Sequence, residues 1–145
     1  MPIHITRTFQ INAPPDAVWV VMIDVERWPE WTESEKSVER LEQGPFELGS
    51  TAKLRIRRAP VAGVWKVTEF TEGRSFAWEN DSGGVHGMAT HLVEPDGDGS
   101  KVTLTVTLSG LVATLLTPIL AGVARENVRM EAEGLKRRCE DNPLA

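Results

Sequence analysis

Ala13-Pro14-Pro15-Asp16-Ala17-Val18-Trp19 and, shortly after, Trp28-Pro29-Glu30-Trp31 are the stretches that decide how this chain is read. A proline at the first helical position costs no hydrogen bond, because that N–H has no partner in any helix. Val18, Trp19, Met22 and Ile23 recur at helical spacing until Asp24, and Arg27 to Thr32 reads as a second helical turn interrupted by Pro29. Helices this short do not persist alone in water, so both must lie on a sheet.

Working outward, that sheet is legible on both sides. Ile3, Ile5, Phe9 and Ile11 alternate with His4, Thr6, Thr8 and Gln10, the period of a strand with one buried face. Six more strands are predicted downstream: Lys36 to Leu41, Thr51 to Arg57, Gly63 to Phe70, Arg74 to Asn80, Val85 to Glu94 and Lys101 to Leu108. Thr71-Glu72-Gly73 and Pro95-Asp96-Gly97-Asp98-Gly99 supply turn chemistry for antiparallel hairpins. From Leu111 to Cys139 the period becomes helical, with Leu116, Ile119 or Leu120, Val123, Asn127, Met130 and Leu135 on one stripe. Either Thr117 caps the main helix with Pro118 in its first turn, leaving Leu111 to Leu116 as a separate short piece, or Pro118 kinks a longer helix; the first is the favoured reading. The order β-α-α-β6-α predicts an α+β fold in one domain over residues 1–145. A seven-stranded antiparallel sheet of this length curls, and the long C-terminal helix covers its concave face.

Composition narrows the function. A net charge of -5, from 16 basic and 21 acidic residues, argues against a nucleic-acid binder. Lys53, Arg55, Arg57 and Arg58 cluster, but alternation assigns most of them to a solvated strand face. Cys139 is the only cysteine, so no intramolecular disulfide forms, and its place in a charged helix end suggests a spectator thiol. The longest apolar run, Leu111 to Ala124, is shorter than the ~20 residues of a membrane span. No signal peptide is visible, so a cytoplasmic protein is expected, as a monomer or homodimer.

These elements, with Asp24, Val67-Thr68-Glu69, Phe76-Ala77-Trp78, the Glu94-Pro95 hairpin, Gly110, Leu135-Lys136 and Glu140, resemble the START-like or SRPBCC superfamily. The similarity is greatest to its small polyketide cyclase/dehydrase-like members. The resemblance spans nearly the whole chain and implies a helix-grip fold with a cavity between sheet and C-terminal helix. It implies no particular reaction, since the fold hosts carriers, cyclases and other binding proteins.

Residue by residue, the expected wall of such a cavity is Trp28, Trp31, Trp65, Trp78, His91, Leu116, Leu120, Val123 and Asn127. The resemblance puts Trp28 and Trp31 near the mouth. An indole suits a ligand wall, being broad, apolar and able to donate one hydrogen bond, yet the same rings would serve equally as core. Trp65 with Val67 and Trp78 with Phe76 are assigned to the inner face. His86 and His91 are an odd number of positions apart and must point to opposite faces. Pairing with the last strand turns Val93, His91 and Ala89 inward, so His91 is a candidate acid or base as well as a satisfied core histidine. Glu69 and Glu79 stand on adjacent strands and read as solvent-facing. Asn127 on the inner stripe needs partners, and a ligand oxygen would serve.

No Cys/His set has metal spacing, no glycine loop cradles a phosphate, no nucleophile elbow is present and no cofactor is expected. The sequence therefore favours binding or carriage of a small hydrophobic molecule. Two alternatives stand beside it. One is a cyclase or dehydratase acting on a polyketide-type substrate. The other is an interaction protein using the apolar segment 111–121.

Overall fold

The computed structural model describes residues 2–57 and 62–141; Arg58, the last of the predicted basic cluster, lies outside them. Seven strands form one antiparallel sheet in the order β1-β7-β6-β5-β4-β3-β2: β1 Ile3–Ile11, β2 Glu35–Arg40, β3 Thr51–Ile56, β4 Gly63–Thr71, β5 Ser75–Ser82, β6 Val85–Asp96 and β7 Gly99–Ser109. Helix α1 (Pro15–Ile23) and a 3-10 turn (Val25–Glu30) follow β1, and α2 (Leu111–Leu115) and α3 (Thr117–Asp141) follow β7. The sheet curls into a half-barrel that grips α3, as the element order predicts.

Register fixes which residues face the helix. One row across the sheet runs Ile5, Val106, Ala89, Trp78, Val67; the next runs Arg7, Leu104, His91, Phe76, Phe70. Two irregularities alter the simple alternation. A bulge between Val67 and Glu69 brings Phe70 onto the face that Val67 already occupies. A second, between Glu35 and Ser37, turns Glu35 inward together with Val38, three positions away. Gly97, at a positive φ of 59°, makes the tight turn between Asp96 and Gly99.

The helical end differs from expectation in two details. Thr117 does not cap α3: its hydroxyl donates back to the carbonyls of Ala113 (2.9 Å) and Thr114 (3.0 Å), and the first bonds of α3 go to the Leu116 carbonyl. The buried stripe of α3 is Ala124, Val128, Ala132, Leu135 and Cys139, rotated by about one residue from the predicted one, with Met130 left half-buried. Small residues win those positions because α3 lies close to what it covers. At Gly134 a Cβ would stand 1.9 Å from the Trp31 carbonyl oxygen, so only glycine fits. Cys139 is accordingly a core residue rather than part of a charged surface, and burial pushes its thiol up to about 11.

Candidate functional site

An aromatic block fills the centre of the half-barrel. Trp28 contacts Trp31 (5.7 Å between ring centroids), Trp78 (5.4 Å) and His91 (5.4 Å), and Trp65 meets Trp78 at 6.1 Å. The His91 ring stacks on Phe76 at 4.2 Å with only 11° between planes. The two indoles around Pro29 differ in one respect. Trp28 donates its ring N–H to the Met22 carbonyl at 3.0 Å, which fixes the 3-10 turn on the end of α1. Trp31 is as buried, yet its ring N–H has no partner.

Unpartnered buried polar atoms fall on six side chains among the described residues. Two are the Nε atoms of Arg40 and Arg138, whose guanidinium groups bond elsewhere, to the Gly44 carbonyl and Glu30 respectively. The other four are Trp31 Nε1, Glu35 Oε2, His91 Nδ1 and Asn127 Oδ1. Glu131 links two of these residues, His91 and Glu35. His91 Nε2 lies 3.1 Å from Glu131 Oε1. Glu131 is one turn beyond Asn127 on α3, and Glu35 feels the Glu131 charge across the gap between β2 and the helix. Burial first, then that charge, pushes the Glu35 carboxyl up to about 8, so near neutrality it keeps its proton and can donate. Orphaned polar atoms are rare in protein interiors because each forfeits its hydration without replacement. Here they occur on Trp31, Glu35, His91 and Asn127.

Apolar surface lies beside them. Trp78 and Val67 are buried, but Ile5, Ala89 and Val106 in the same inward row are only half-buried. Ala89 and Val106 lie on the interior strands β6 and β7, in the inward row, so their exposure is on the concave face. Leu120 and Val123 of α3 are half-buried, and Leu116, in the turn between α2 and α3, is 41% exposed. Trp65 reaches over β6 at Gly87, where a Cβ would stand 3.0 Å from its ring. Two open surface hollows lie elsewhere: about 360 Å3 around Asn12, Asp96 and Lys136, and about 410 Å3 around the Gly83–Gly84 turn and Leu111. Neither includes a residue of the predicted wall.

The outer face has its own cluster, away from this interior. His86 contacts Asp81 (2.7 Å) and Glu79 (2.9 Å), and these carboxylates, Asp81 foremost, raise its pKa. Glu69 stands opposite Ala77 and Glu79 opposite Lys66, so the two glutamates do not share a register position. Among the described residues no group of His, Cys, Asp and Glu has the arrangement of a metal site, and no helix is long and apolar enough to cross a membrane.

Residues 2–140 match the family model described as polyketide cyclase/dehydrase and lipid transport. The chain belongs to that family. In fold, the chain also matches solved structures of the START-like superfamily. The Zhui aromatase/cyclase from Streptomyces sp. R1128 superposes with a TM-score of 0.82 at 19% identity, over 100% of this chain and 98% of that one. A START superfamily protein from Mycobacterium smegmatis gives 0.78 at 17%, over 95% and 97%. A norcoclaurine synthase mutant from Thalictrum flavum, in complex with a transition-state analogue, gives 0.76 at 14%, over 99% and 97%. No curated protein sequence matches this one.

Glu35 and Glu131 are the residues that sequence reasoning missed. Glu131 was within reach, since it falls four residues after Asn127 and so on the same helical face. Glu35 was not. Strand alternation from Val38 assigns it to solvent, and only the bulge at the start of β2 reverses that.

Proposed function

We propose that this chain binds a small hydrophobic molecule between the concave face of the sheet and the N-terminal half of α3, and that it carries or sequesters that molecule as a cytoplasmic monomer or homodimer. The observation that carries this reading is the coincidence of unpartnered buried polar atoms with an incompletely covered apolar row on the inner face. The apolar row supplies affinity at ~25 cal/mol per Å2 buried, and the polar atoms orient the guest. Trp31, Trp65, Trp78, Leu120, Val123 and Asn127 form the wall in this reading, with Leu116 at the rim. Trp28 acts behind them as a brace. Mass spectrometry of freshly purified protein under native conditions, with tryptophan-fluorescence titration by sterols, long-chain alcohols and flat aromatics, tests it. Failure of every compound to bind below millimolar concentration would end the carrier reading.

A second reading has its own support. The hydrogen bond between His91 and Glu131, with the protonated Glu35 carboxyl nearby, is a set of groups suited to moving protons in a cyclase or dehydratase acting on a polyketide-type substrate. His91→Ala should then abolish turnover of a poly-β-ketone thioester while leaving its binding intact; unchanged turnover removes His91 from the chemistry. The exposed side chains of Leu111, Leu115 and Ile119 support a protein contact at that corner, which light scattering tests through the oligomeric state.

A further inference from the structure

Among the described residues two arginines stand on the inward side of the sheet, and they differ in what holds them. Arg40, opposite the buried Ala52, gives its guanidinium to the Gly44 and Pro45 carbonyls and to Glu42. Arg7 stands opposite Leu104, and Leu104 opposite His91, so all three leave their strands on the inward side. Ile5 and Phe9, its neighbours along β1 on that side, pack against the core, yet Arg7 itself is exposed. No hydrogen bond or ion pair holds its guanidinium among the described residues. The interior acids leave it free as well. Glu131 pairs with His91, and near neutrality burial keeps the proton on Glu35.

An arginine stays charged at any working pH and presents a planar fork of N–H donors, which meets both oxygens of a carboxylate at once. Beside Arg7, two residues or roughly 7 Å back along β1, begins the half-buried row of Ile5, Val106 and Ala89. A cation without a partner therefore adjoins an apolar strip without full cover, both on the concave face. A molecule with a carboxylate at Arg7 and an apolar body over that strip satisfies the two together.

We propose that Arg7 is the anion anchor of this interior and that its guests are apolar carboxylic acids, bound as carboxylates. The inference rests on the binding reading above, and the test separates the two. Isothermal titration calorimetry at pH 7 compares 2-naphthoate with 2-naphthol, which share a ring system and differ in charge. Solvent screens an exposed pair, so the preference for naphthoate should be about fivefold rather than hundreds. Added salt should weaken naphthoate and spare naphthol. Arg7→Gln removes the charge from an exposed side chain that makes no bond, so the fold survives the change. It should bring naphthoate down to the level of naphthol and leave naphthol within about threefold. Equal or tighter binding of naphthol by the unaltered protein, or a naphthoate preference that survives Arg7→Gln, overturns the anchor while leaving the carrier reading in place. Silence of both probes also overturns the anchor, and it takes the carrier reading with it where sterols and long-chain alcohols fail too.

Discussion

Helix α3 is one continuous element, but its two ends do different work. Beyond Gly134 it is bolted down. The helix backbone touches that of Trp31, Leu135 and Cys139 are buried, and Lys136 donates to the Gln10 carbonyl (2.9 Å) and to Glu140 (2.7 Å). Glu140 in turn accepts the Asn12 amide, and Arg138 reaches Glu30 on the 3-10 turn. Before Gly134 on the same helix, Glu131 pairs with His91 and its charge acts on the buried Glu35 carboxyl, while one turn earlier the Asn127 side-chain oxygen is buried without a partner. The difference teaches where stability has been given up. The distal end closes the half-barrel, and the proximal stretch keeps polar groups desolvated.

Substitution at the closed end should break that contrast most severely. Gly134→Ala puts a methyl group within 1.9 Å of the Trp31 carbonyl, and the clash is with backbone, which cannot rotate away. We expect a loss of about 3 kcal/mol or more in urea unfolding, or failure to fold. Asn127→Ala, two turns earlier, should change stability by less than about 1 kcal/mol while weakening ligand binding, since its buried oxygen has no partner to lose. Equal stability losses from the two would erase the distinction between the ends.

The proximal stretch is better probed through pH. Glu35 has a folded pKa near 8 against 4.5 for the free side chain, so the folded chain binds its proton more tightly than the unfolded one. The sign follows directly. Stability is undiminished below about 4.5, falls as pH rises through the interval to about 8, and levels off once Glu35 is ionised in both states. The charges facing Glu35 come from α3, chiefly Glu131 with its His91 partner on β6. Glu35→Gln removes the loss, so the variant should melt several degrees above the parent at pH 8 and within a degree or two at pH 5. A constant offset at both pH values would mean that Glu35 is not held as a neutral acid.

How much of this contrast the sequence carries follows from which physical rule governs each residue. Strand and helix periods report the elements, because amphipathic alternation is a local property of the chain. They also report the inward set of Trp65, Trp78 and His91, because register with β7 leaves one choice of face. The closed end was not legible: Gly134 reads as an ordinary helical glycine until Trp31 is placed against it. Glu35 was hidden by a bulge, a one-residue event that inverts the side-chain face without leaving a mark in the alternation. Leu116 illustrates the converse. Its apolar character matched the stripe, but the buried face of α3 turned by one residue because Ala124, Val128 and Ala132 allow a closer approach than leucines would.

The smallest effect sharpens the pH test by removing a competing signal. On the outer face, Asp81 and Glu79 raise the pKa of His86 above 6.5. A raised histidine stabilises the fold while charged, fully below its unfolded pKa, and that contribution disappears as pH rises through the folded value. Its trend therefore has the same sign as that of Glu35 but begins about two pH units higher, near the reference value for an imidazole. The ring is 38% exposed, so solvent screening keeps the effect to a few tenths of a kcal/mol. His86→Gln should flatten the stability profile slightly above pH 6.5 and leave the fall between 4.5 and 6.5 untouched. If His86→Gln removed that lower part as well, the fall would originate on the outer face and not at the buried Glu35 beside α3.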